Sequence, residues 1–381
     1  MAVTTPVTGE HRWPCSQCGA QLRFAPGQRE LVCDHCGNVQ RLPDVALSDS
    51  QAALARHDLA RGLSDDLASS AMEVVRTTRC TSCGALIEFE GATHATECPF
   101  CATPVVASTG ETRQIKPQAL VPFVLSEREA REALVKWLGG LWFAPNRLLE
   151  FTRRGRAMNG VYVPWWSFDA ETSSRYTGSR GDAYYVTRTV TIDGKKQTRQ
   201  ERKIRWSPAS GQVSRDFQDV GVLGSLSLPA RYANELDPWD LSKLVPYSPD
   251  YLAGFTAEGY TVPVRPASEQ SKDKMAVVIA HDVRRDIGGD EQRIASIDTR
   301  YRDETFRHIL LPIWMAAYKY NGKSYQFLVN GQTGEVQGER PWSVWKIAFA
   351  ALAAAALAAL VLYLMKDGDF SVSSGGLDWL D

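Results

Sequence analysis

Apolar residues recur along this chain in several patterns, and each pattern predicts a different kind of element. The longest is an uninterrupted run at 347–365, IAFAALAAAALAALVLYLM. As a helix rising 1.5 Å per residue it would span roughly 28 Å, close to the hydrocarbon thickness of a bilayer. The run therefore predicts one transmembrane helix at 345–366. A buried helix of a soluble protein is the alternative, because nine of the 19 residues are alanine.

Residues that flank this run orient it. Trp342, Trp345 and Tyr363 have the positions of interfacial aromatic residues, and Lys346 precedes the span. The positive-inside rule then places the N-terminal part of the chain in the cytoplasm and a tail at 367–381 outside. These features predict a single-pass protein of the cell membrane with a cytoplasmic N-terminus.

The region 109–341 mixes helical and alternating patterns, which is typical of an α+β domain. Ser126 and Glu129 form a capping box ahead of an apolar stripe with a period of 3.6, which predicts a helix over 127–139. Asp193-Gly194 is a strong hairpin signal between two strand-like runs. The predicted strands are 161–170, 184–192 and 197–206, and 329–336 predicts a closing hairpin.

Two short motifs recur inside this domain and predict an internal duplication. The segment 120–123 (LVPF) resembles 244–247 (LVPY), and 163–166 (VPWW) resembles 311–314 (LPIW). Two half-domains packed together would explain this order. Tryptophans that follow a proline at the start of a strand are typical of a core.

A helical spacing of leucines marks the segment 42–78. Leu59, Leu63 and Leu67 are followed by Ala71 and the valines at 74–75, which predicts a helix, with a weak point at a glycine.

All eight cysteines fall into Cys-x-x-Cys pairs, and the pairs form two sets with the same spacing. Fourteen residues separate the inner cysteines of each set, close to the spacing that lets two knuckles converge on one tetrahedral ion. Gly19-Ala20 and Gly84-Ala85 lie at the same offset in the two sets, so the sequence predicts a duplicated zinc ribbon, at 1–41 and 79–108. The predicted ligands are Cys15, Cys18, Cys33 and Cys36 in the first ribbon and Cys80, Cys83, Cys98 and Cys101 in the second.

Four thiolates close the coordination sphere of an ion. Because no position is left for water or substrate, the pattern predicts two structural zinc ions and no catalytic metal. His35 and His94 are read as loop residues, since each set already has four sulfurs. Disulfides are the rival interpretation, but the N-terminus lacks the apolar run of a signal peptide, which favours a reducing compartment.

Charge changes this picture only locally. The chain carries a formal net charge of -1, so any affinity for nucleic acid would need a local basic patch. The hairpin at 188–205 supplies a local excess of five positive charges, and such a strip could contact anionic lipid, nucleic acid or only solvent. Its basic residues are Arg188, Lys195, Lys196, Arg199, Arg202, Lys203 and Arg205.

Sequence motifs of common enzymes are missing. Gly322-Lys323-Ser324 has the last letters of a phosphate-binding loop, but Ala317 stands where its first glycine should be. The zinc-protease, nucleophile-elbow and dinucleotide-binding motifs are also absent from the sequence. We therefore expect no enzymatic activity, while an enzyme with a site scattered through 110–340 stays an alternative.

Several segments carry a resemblance to a bacterial family of membrane-anchored double zinc-ribbon proteins, often labelled TFIIB-type zinc ribbon or primosomal protein N-prime-like. They are the Cys-x-x-Cys-Gly-Ala of both ribbons, GVYVPWWSFDA at 160–170, and VNGQTGEV at 329–336 followed by GERP at 338–341 and the apolar run. The resemblance covers nearly the whole chain and implies a helicase-derived label without helicase motifs. For some relatives it implies membrane-stress complexes with SPFH-domain and phage-shock-protein-A-like partners.

These observations favour a multidomain protein with two zinc ribbons, an α+β domain and one C-terminal transmembrane helix. The expected function is a non-catalytic, membrane-anchored adaptor or scaffold whose ribbons dock partner proteins at the cytoplasmic face. A membrane-tethered nucleic-acid-binding protein is the second hypothesis.

Overall fold

Long antiparallel strands dominate the structure. A computed structural model describes residues 13–43, 54–64, 67–88, 95–101, 103–106, 111–141, 158–192, 195–320, 323–339 and 344–367. The strands are β1 (Leu22–Phe24), β2 (Glu30–Cys33), β3 (Val39–Arg41), β4 (His57–Asp58), β5 (Met72–Arg79), β6 (Leu86–Glu88), β7 (Ala95–Glu97), β8 (Pro104–Val106), β9 (Glu111–Ile115), β10 (Ala119–Leu120), β11 (Asn159–Ile192), β12 (Lys195–Leu223), β13 (Val245–Pro246), β14 (Thr256–Ala257), β15 (Glu291–Tyr320), β16 (Lys323–Asn330) and β17 (Val336–Gly338). The helices are α1 (Leu59–Leu63), α2 (Glu127–Gly139), α3 (Ala230–Asn234), α4 (Val264–Ile287) and α5 (Val344–Asp367).

The chain divides into two compact units. One comprises Met1–Ala133 and Ala157–Gly338, and the other Leu134–Arg156 and Glu339–Asp381. Both cysteine-rich segments and the large sheet therefore belong to the same unit.

The large sheet of the first unit has the strand order β12-β11-β15-β10-β13, and β4, β14, β16 and β17 extend it. Its strands β11, β12 and β15 contain 34, 29 and 30 residues. The prediction of an α+β domain is wrong, because this region is mostly a mixed β sheet. Short helices and α4 only accompany it.

Glycines explain why the separate strands predicted at 161–170 and 184–192 are one strand. Gly178 lies at a register shift where a Cβ atom would come 2.3 Å from the Arg293 carbonyl oxygen. A Cβ atom on Gly181 would come 2.7 Å from the Ile204 side chain. These glycines permit close approach inside a continuous strand, whereas in the sequence they read as breaks.

Local signals were more reliable. Helix α2 covers the predicted residues 127–139, and its capping box is formed: the Ser126 backbone N–H donates to Glu129 Oε2 at 2.8 Å. Strands β11 and β12 pair as far as Ile192 opposite Lys195, which confirms the hairpin, although its Asp193-Gly194 turn lies outside the described residues. Strands β16 and β17 confirm the closing hairpin through Val329 opposite Val336.

The helix predicted within 42–78 is largely wrong. Helix α1 ends at Leu63, and from Met72 the chain forms β5, which pairs antiparallel with β9. Strand pairing with a distant segment outweighs the weak helical spacing, because β-branched residues such as Val74 and Thr77 favour a strand.

An approximate two-fold repeat organises the large sheet. The first half runs β10, α2, β11, β12, and the second runs β14, α4, β15, β16. Each short strand pairs in parallel with the long strand of the other half, β10 with β15 and β14 with β11. The two long strands pair antiparallel at the centre.

Equivalent contacts support this repeat. Trp166 Nε1 donates to the Val262 carbonyl at 2.8 Å, and Trp314 Nε1 donates to the Leu125 carbonyl at 2.9 Å. Each acceptor lies five residues after its short strand. Each indole also packs against a ring three residues after the short strand, with centroids 5.0 Å apart in both cases: Trp166 on Tyr260, and Trp314 on Phe123.

The repeat also corrects one sequence match. The counterpart of 120–123 is 257–260, which follows the equivalent short strand. The segment 244–247 contains β13 instead, which pairs antiparallel with β10 and is no equivalent of it. The match of 163–166 with 311–314 relates segments that are neighbours on the two central strands.

The predicted transmembrane helix is contradicted. Across the part of the chain that the structure describes, no helix is long and apolar enough to cross a bilayer. The predicted localisation, a single-pass protein of the cell membrane with a cytoplasmic N-terminus, is therefore wrong. Of the predicted external tail, 368–381 lies outside the described residues.

Candidate metal centres

The eight cysteines form two groups of four sulfur atoms, and within each group all sulfurs lie within 4.8 Å of one another. The ligand sets are those that the sequence predicted. The four sulfurs of a group come from two Cys-x-x-Cys knuckles, and in the first group the antiparallel pair β1 and β2 lies between the knuckles. None of the eight cysteines forms a disulfide.

Sulfur distances fit a tetrahedral ion. Cys15 Sγ lies 3.5 Å from Cys36 Sγ, and Cys80 Sγ lies 3.6 Å from Cys101 Sγ. A disulfide would need about 2.05 Å. A tetrahedron with metal–sulfur bonds of about 2.3 Å has edges of about 3.8 Å. The groups could therefore each hold a metal ion with little rearrangement.

Backbone hydrogen bonds shape the knuckles. In the first group of cysteines, the Gly19 N–H donates to the Cys15 carbonyl at 2.8 Å. In the second group, the Gly84 N–H donates to the Cys80 carbonyl at 2.9 Å. Both glycines have a positive φ, +75° and +79°, in the left-handed region that favours glycine. This explains why Cys-x-x-Cys-Gly recurs in the two ribbons.

Electrostatics of the groups also point to a cation. Burial alone would raise the pKa of Cys15, yet hydrogen bonds from the backbone groups of Gln17 and Cys18 lower it to about 6. The hydrogen bond between Cys83 and Cys98 lowers the pKa of Cys83 to about 5 and raises that of Cys98. Four sulfurs this close cannot all be thiolates unless a cation balances their charge.

The two ribbons differ in their surroundings. Ribbon 1 is the segment 13–43 with strands β1 to β3. It contacts the segment 250–253 of the same unit through Phe24. The Phe24 ring packs edge-on against Tyr251 at 5.1 Å, and the Phe24 N–H donates to the Ala253 carbonyl at 2.9 Å. Trp13 Nε1 donates to Asp250 Oδ1 at 2.9 Å. Its sulfurs Cys18 and Cys36 are exposed, and every residue of β3 is exposed.

Ribbon 2, the described part of 77–106, is built into the core. Cys80 and Cys98 are each 1% exposed and pack in one apolar cluster with Trp165 and Leu223 of the central sheet. The Gln326 side chain donates to the Phe100 carbonyl, and the Gly259 N–H donates to the Leu86 carbonyl at 3.1 Å. A metal ion here would stabilise the sheet as well as the ribbon.

Two histidines close to the cysteines in sequence were predicted to be loop residues and not metal ligands. His35 is exposed and is not part of the first group, and His94 lies outside the described residues.

Sequence reasoning missed a charged network that holds the segment between the ribbons. Arg56 pairs with Asp169 and, at 3.0 Å, with Asp219, which also pairs with Arg307. Ser167 Oγ donates to Asp219 Oδ1 at 2.7 Å. These charges compensate one another, so the network anchors β4 and α1 on the sheet. No local sequence motif predicts this network, because its members come from four distant segments.

A buried carboxyl was also missed. Glu258 is 1% exposed, accepts a hydrogen bond from Ser225 Oγ at 2.8 Å, and forms a bridge to Ile87 of ribbon 2. Burial raises the pKa of Glu258 to about 8. It is a structural link between the sheet and ribbon 2, with no partner of opposite charge among the described residues.

Comparisons with known proteins give one similarity and no function. The chain is similar to the uncharacterized protein YdjG of Bacillus subtilis strain 168, with 26% identity over 374 residues, which cover 94% of this chain and 99% of that protein. No family model matches the chain. No solved structure matches it.

Proposed function

We propose that the protein is a non-catalytic adaptor that docks partner proteins through ribbon 1. The observation that carries this proposal is the difference between the two copies of one motif. Ribbon 2 is packed into the core, whereas ribbon 1 presents both knuckles and its outer strand to solvent. A second copy that only stabilised the fold would not need an exposed face.

The exposed face of ribbon 1 has the features of a docking surface. Strand β3 lies at the edge of its three-stranded sheet and, among the described residues, pairs only with β2; Val39 on it is 49% exposed. An edge strand offers unpaired backbone groups to an incoming segment. Phe24 and Leu31 anchor the opposite side of the ribbon at 0% and 2% exposure, so the surface is held rigidly.

We propose zinc as the ion in both groups. Four thiolate ligands at tetrahedral spacing are the usual ligand set of structural zinc, and they leave no open position for a substrate. Purified protein is expected to contain two equivalents of zinc per chain by elemental analysis. Iron, or fewer than two equivalents with all eight cysteines present, would contradict this assignment.

The resemblance noted in the sequence implies partners of the SPFH-domain and phage-shock-protein-A-like classes. These remain the first candidates for the docking test.

Site-specific crosslinking tests the docking surface. Gln17 and Ser82 are matched positions, because each is the second residue between the cysteines of its knuckle and both are exposed. A photo-reactive residue at Gln17 in the full chain is expected to give discrete adducts in cells. The same residue at Ser82 is expected to give none of them.

Competition separates docking from chance capture. An excess of unmodified full chain should suppress the Gln17 adducts, and the Val39→Glu variant, which changes only the outer strand, should not. Adducts of the same partners from both positions, or adducts that Val39→Glu suppresses as well as the unmodified chain does, would show that ribbon 1 is not the docking surface.

A further inference from the structure

The hairpin formed by β11 and β12 extends beyond the rest of the sheet. Strand β15 begins at Glu291, opposite Gly181, and helix α4 ends at Ile287. Beyond this point only β11 and β12 pair with each other among the described residues. We call the segments 182–192 and 195–205 the β-arm. Eleven residues at about 3.4 Å each make it about 37 Å long.

The strand register assigns the side chains of the β-arm to two faces. Tyr176 donates to Asp286 of α4, so even-numbered residues of β11 lie on the face that α4 covers nearer the core. The only register shift between β11 and β12 is at Phe168/Ala170, so the alternation continues along the arm. Residues of β12 on the same face are those opposite even-numbered residues of β11, such as Lys203 opposite Tyr184.

Positive charge is concentrated on this face, which we call the basic face. It carries Arg188, Arg199, Lys203 and Arg205 against Asp182 and Glu201, together with Tyr184. The described side chains of the opposite face are uncharged except Arg202, which pairs with Glu291 at 2.9 Å; Thr187, Thr198 and Gln200 are among the uncharged ones. The side chains of Lys195 and Lys196 lie outside the described part of the structure.

Internal ion pairs neutralise little of the basic face. Arg188 lies 3.7 Å from Glu201, and Asp182 is already engaged by Arg180 at 2.9 Å. Arg199 and Lys203 have no ion pair with the described residues. The whole chain carries -1 and the hairpin 188–205 carries +5, which leaves -6 for the remainder. Positive charge is therefore separated from the body of the protein and displayed on a projection.

Exposed aromatic rings distinguish the class of anionic partner. On the basic face, Tyr184 is 39% exposed and the Arg205 guanidinium lies over its ring at 5.4 Å, whereas Tyr185, 65% exposed, lies on the opposite face. An acidic peptide needs cations but no stacking surfaces. Single-stranded nucleic acid uses both, because phosphates meet the cations and unstacked bases stack on aromatic rings and arginine planes.

We propose that the basic face of the β-arm binds single-stranded nucleic acid. Phosphates contact Arg199, Lys203 and Arg205, and a base stacks on Tyr184. Side chains of one face recur about every 6.7 Å along a strand, so the strand of nucleic acid runs along the arm. This site is separate from the docking surface of ribbon 1.

Fluorescence anisotropy with the full chain tests this site. The probe is a labelled 20-nucleotide oligo-dT, measured from 50 to 200 mM KCl. The first variant, Arg199→Gln with Lys203→Gln and Arg205→Gln, removes three positive charges from the basic face. The control, Thr187→Glu with Thr198→Glu and Gln200→Glu, changes the net charge by the same amount on the opposite face.

The two variants are expected to differ. The basic-face variant should bind at least tenfold more weakly, and its slope of log affinity against log salt should be smaller by about 2, since each phosphate contact contributes about 0.7. The control should lose less than threefold. Tyr184→Ala should weaken binding at every salt concentration and leave the slope unchanged, because stacking releases no counterions.

Several results would overturn the proposal. One is that the unmodified protein does not bind the oligo-dT at 50 mM KCl. Another is that the basic-face variant and the control lose affinity equally. A third is that poly-glutamate or a 20-base-pair duplex binds as tightly as the oligo-dT. The variants change exposed residues of the arm, so equal thermal unfolding midpoints for all proteins would exclude misfolding as the cause.

Discussion

Single residues show how burial changes chemistry in this protein. His308 is 2% exposed, its Nδ1 lies 2.8 Å from the Ile115 carbonyl, and its ring lies 4.9 Å from that of Trp166. Nothing near it in the chain predicts such an environment. The imidazole is held neutral in the core, because a charged ring there would lack water and has no carboxylate beside it among the described residues.

This environment makes stability depend on pH. Burial lowers the pKa of His308 to about 4, from an ordinary value near 6.5. Between these values the unfolded chain binds a proton that the folded protein does not, so stability falls as the pH decreases from 6.5 to 4. The loss from this group is about 3 kcal/mol.

Urea unfolding at several pH values between 7.5 and 4.5 measures this loss. His308→Gln should flatten the decline, while His281→Gln, a change of an exposed histidine on α4, should leave it unchanged. Acid also releases metal from thiolates, so the difference between the two variants is the quantity that counts. Equal slopes would show that His308 is not responsible.

At the scale of elements, one motif serves two roles in its two copies. The knuckles, the positive-φ glycines and the sulfur distances are nearly the same in both ribbons. Ribbon 2 lies in the core with Trp165, whereas ribbon 1 touches the body mainly through Phe24 and its neighbours. Loss of metal should therefore have different consequences in the two places.

Paired cysteine substitutions measure this difference. Cys80→Ser with Cys83→Ser should remove on the order of 10 kcal/mol of metal-binding energy from a core element, and so abolish cooperative unfolding of the sheet. Cys15→Ser with Cys18→Ser should unfold ribbon 1 and leave the sheet protected. Hydrogen exchange of β11 and β15 reports the outcome, and equal protection in both variants would contradict the assignment.

At the scale of the whole molecule, the approximate two-fold repeat predicts equal roles for two tryptophans. Trp166 and Trp314 each donate an indole N–H to a backbone carbonyl that precedes a helix by two residues. Replacing either by phenylalanine keeps a ring but leaves that carbonyl without its donor. Each substitution should cost about 1–3 kcal/mol, by similar amounts.

Chemical denaturation of Trp166→Phe and Trp314→Phe tests this symmetry. Trp206→Phe is the control, because that indole lies on β12 next to the β-arm, under the Arg293 guanidinium at 3.9 Å, and takes no part in the two equivalent indole contacts. It should change stability by less than about 0.5 kcal/mol. A loss confined to one of the two core tryptophans would show that the halves are not equivalent in energy.

Signals that act over a few residues were readable in the chain. The Cys-x-x-Cys spacing determines both ligand sets, Ser126 and Glu129 determine where α2 begins, and Asp193-Gly194 predicts the joining of β11 and β12. Each depends on hydrogen bonds or ligand geometry within a short segment. The resulting contacts are the same wherever that segment lies in the fold.

Features that depend on distant partners could not be read in this way. The joining of the predicted strands into β11, the strand β5 in place of a helix, and the alignment of the two halves all rest on pairing between segments far apart in sequence. The different exposure of two nearly identical ribbons has the same origin. Burial is set by what packs against a segment: Cys18 is exposed, whereas Cys83, at the same position of ribbon 2, is half-buried against the core cluster of the sheet.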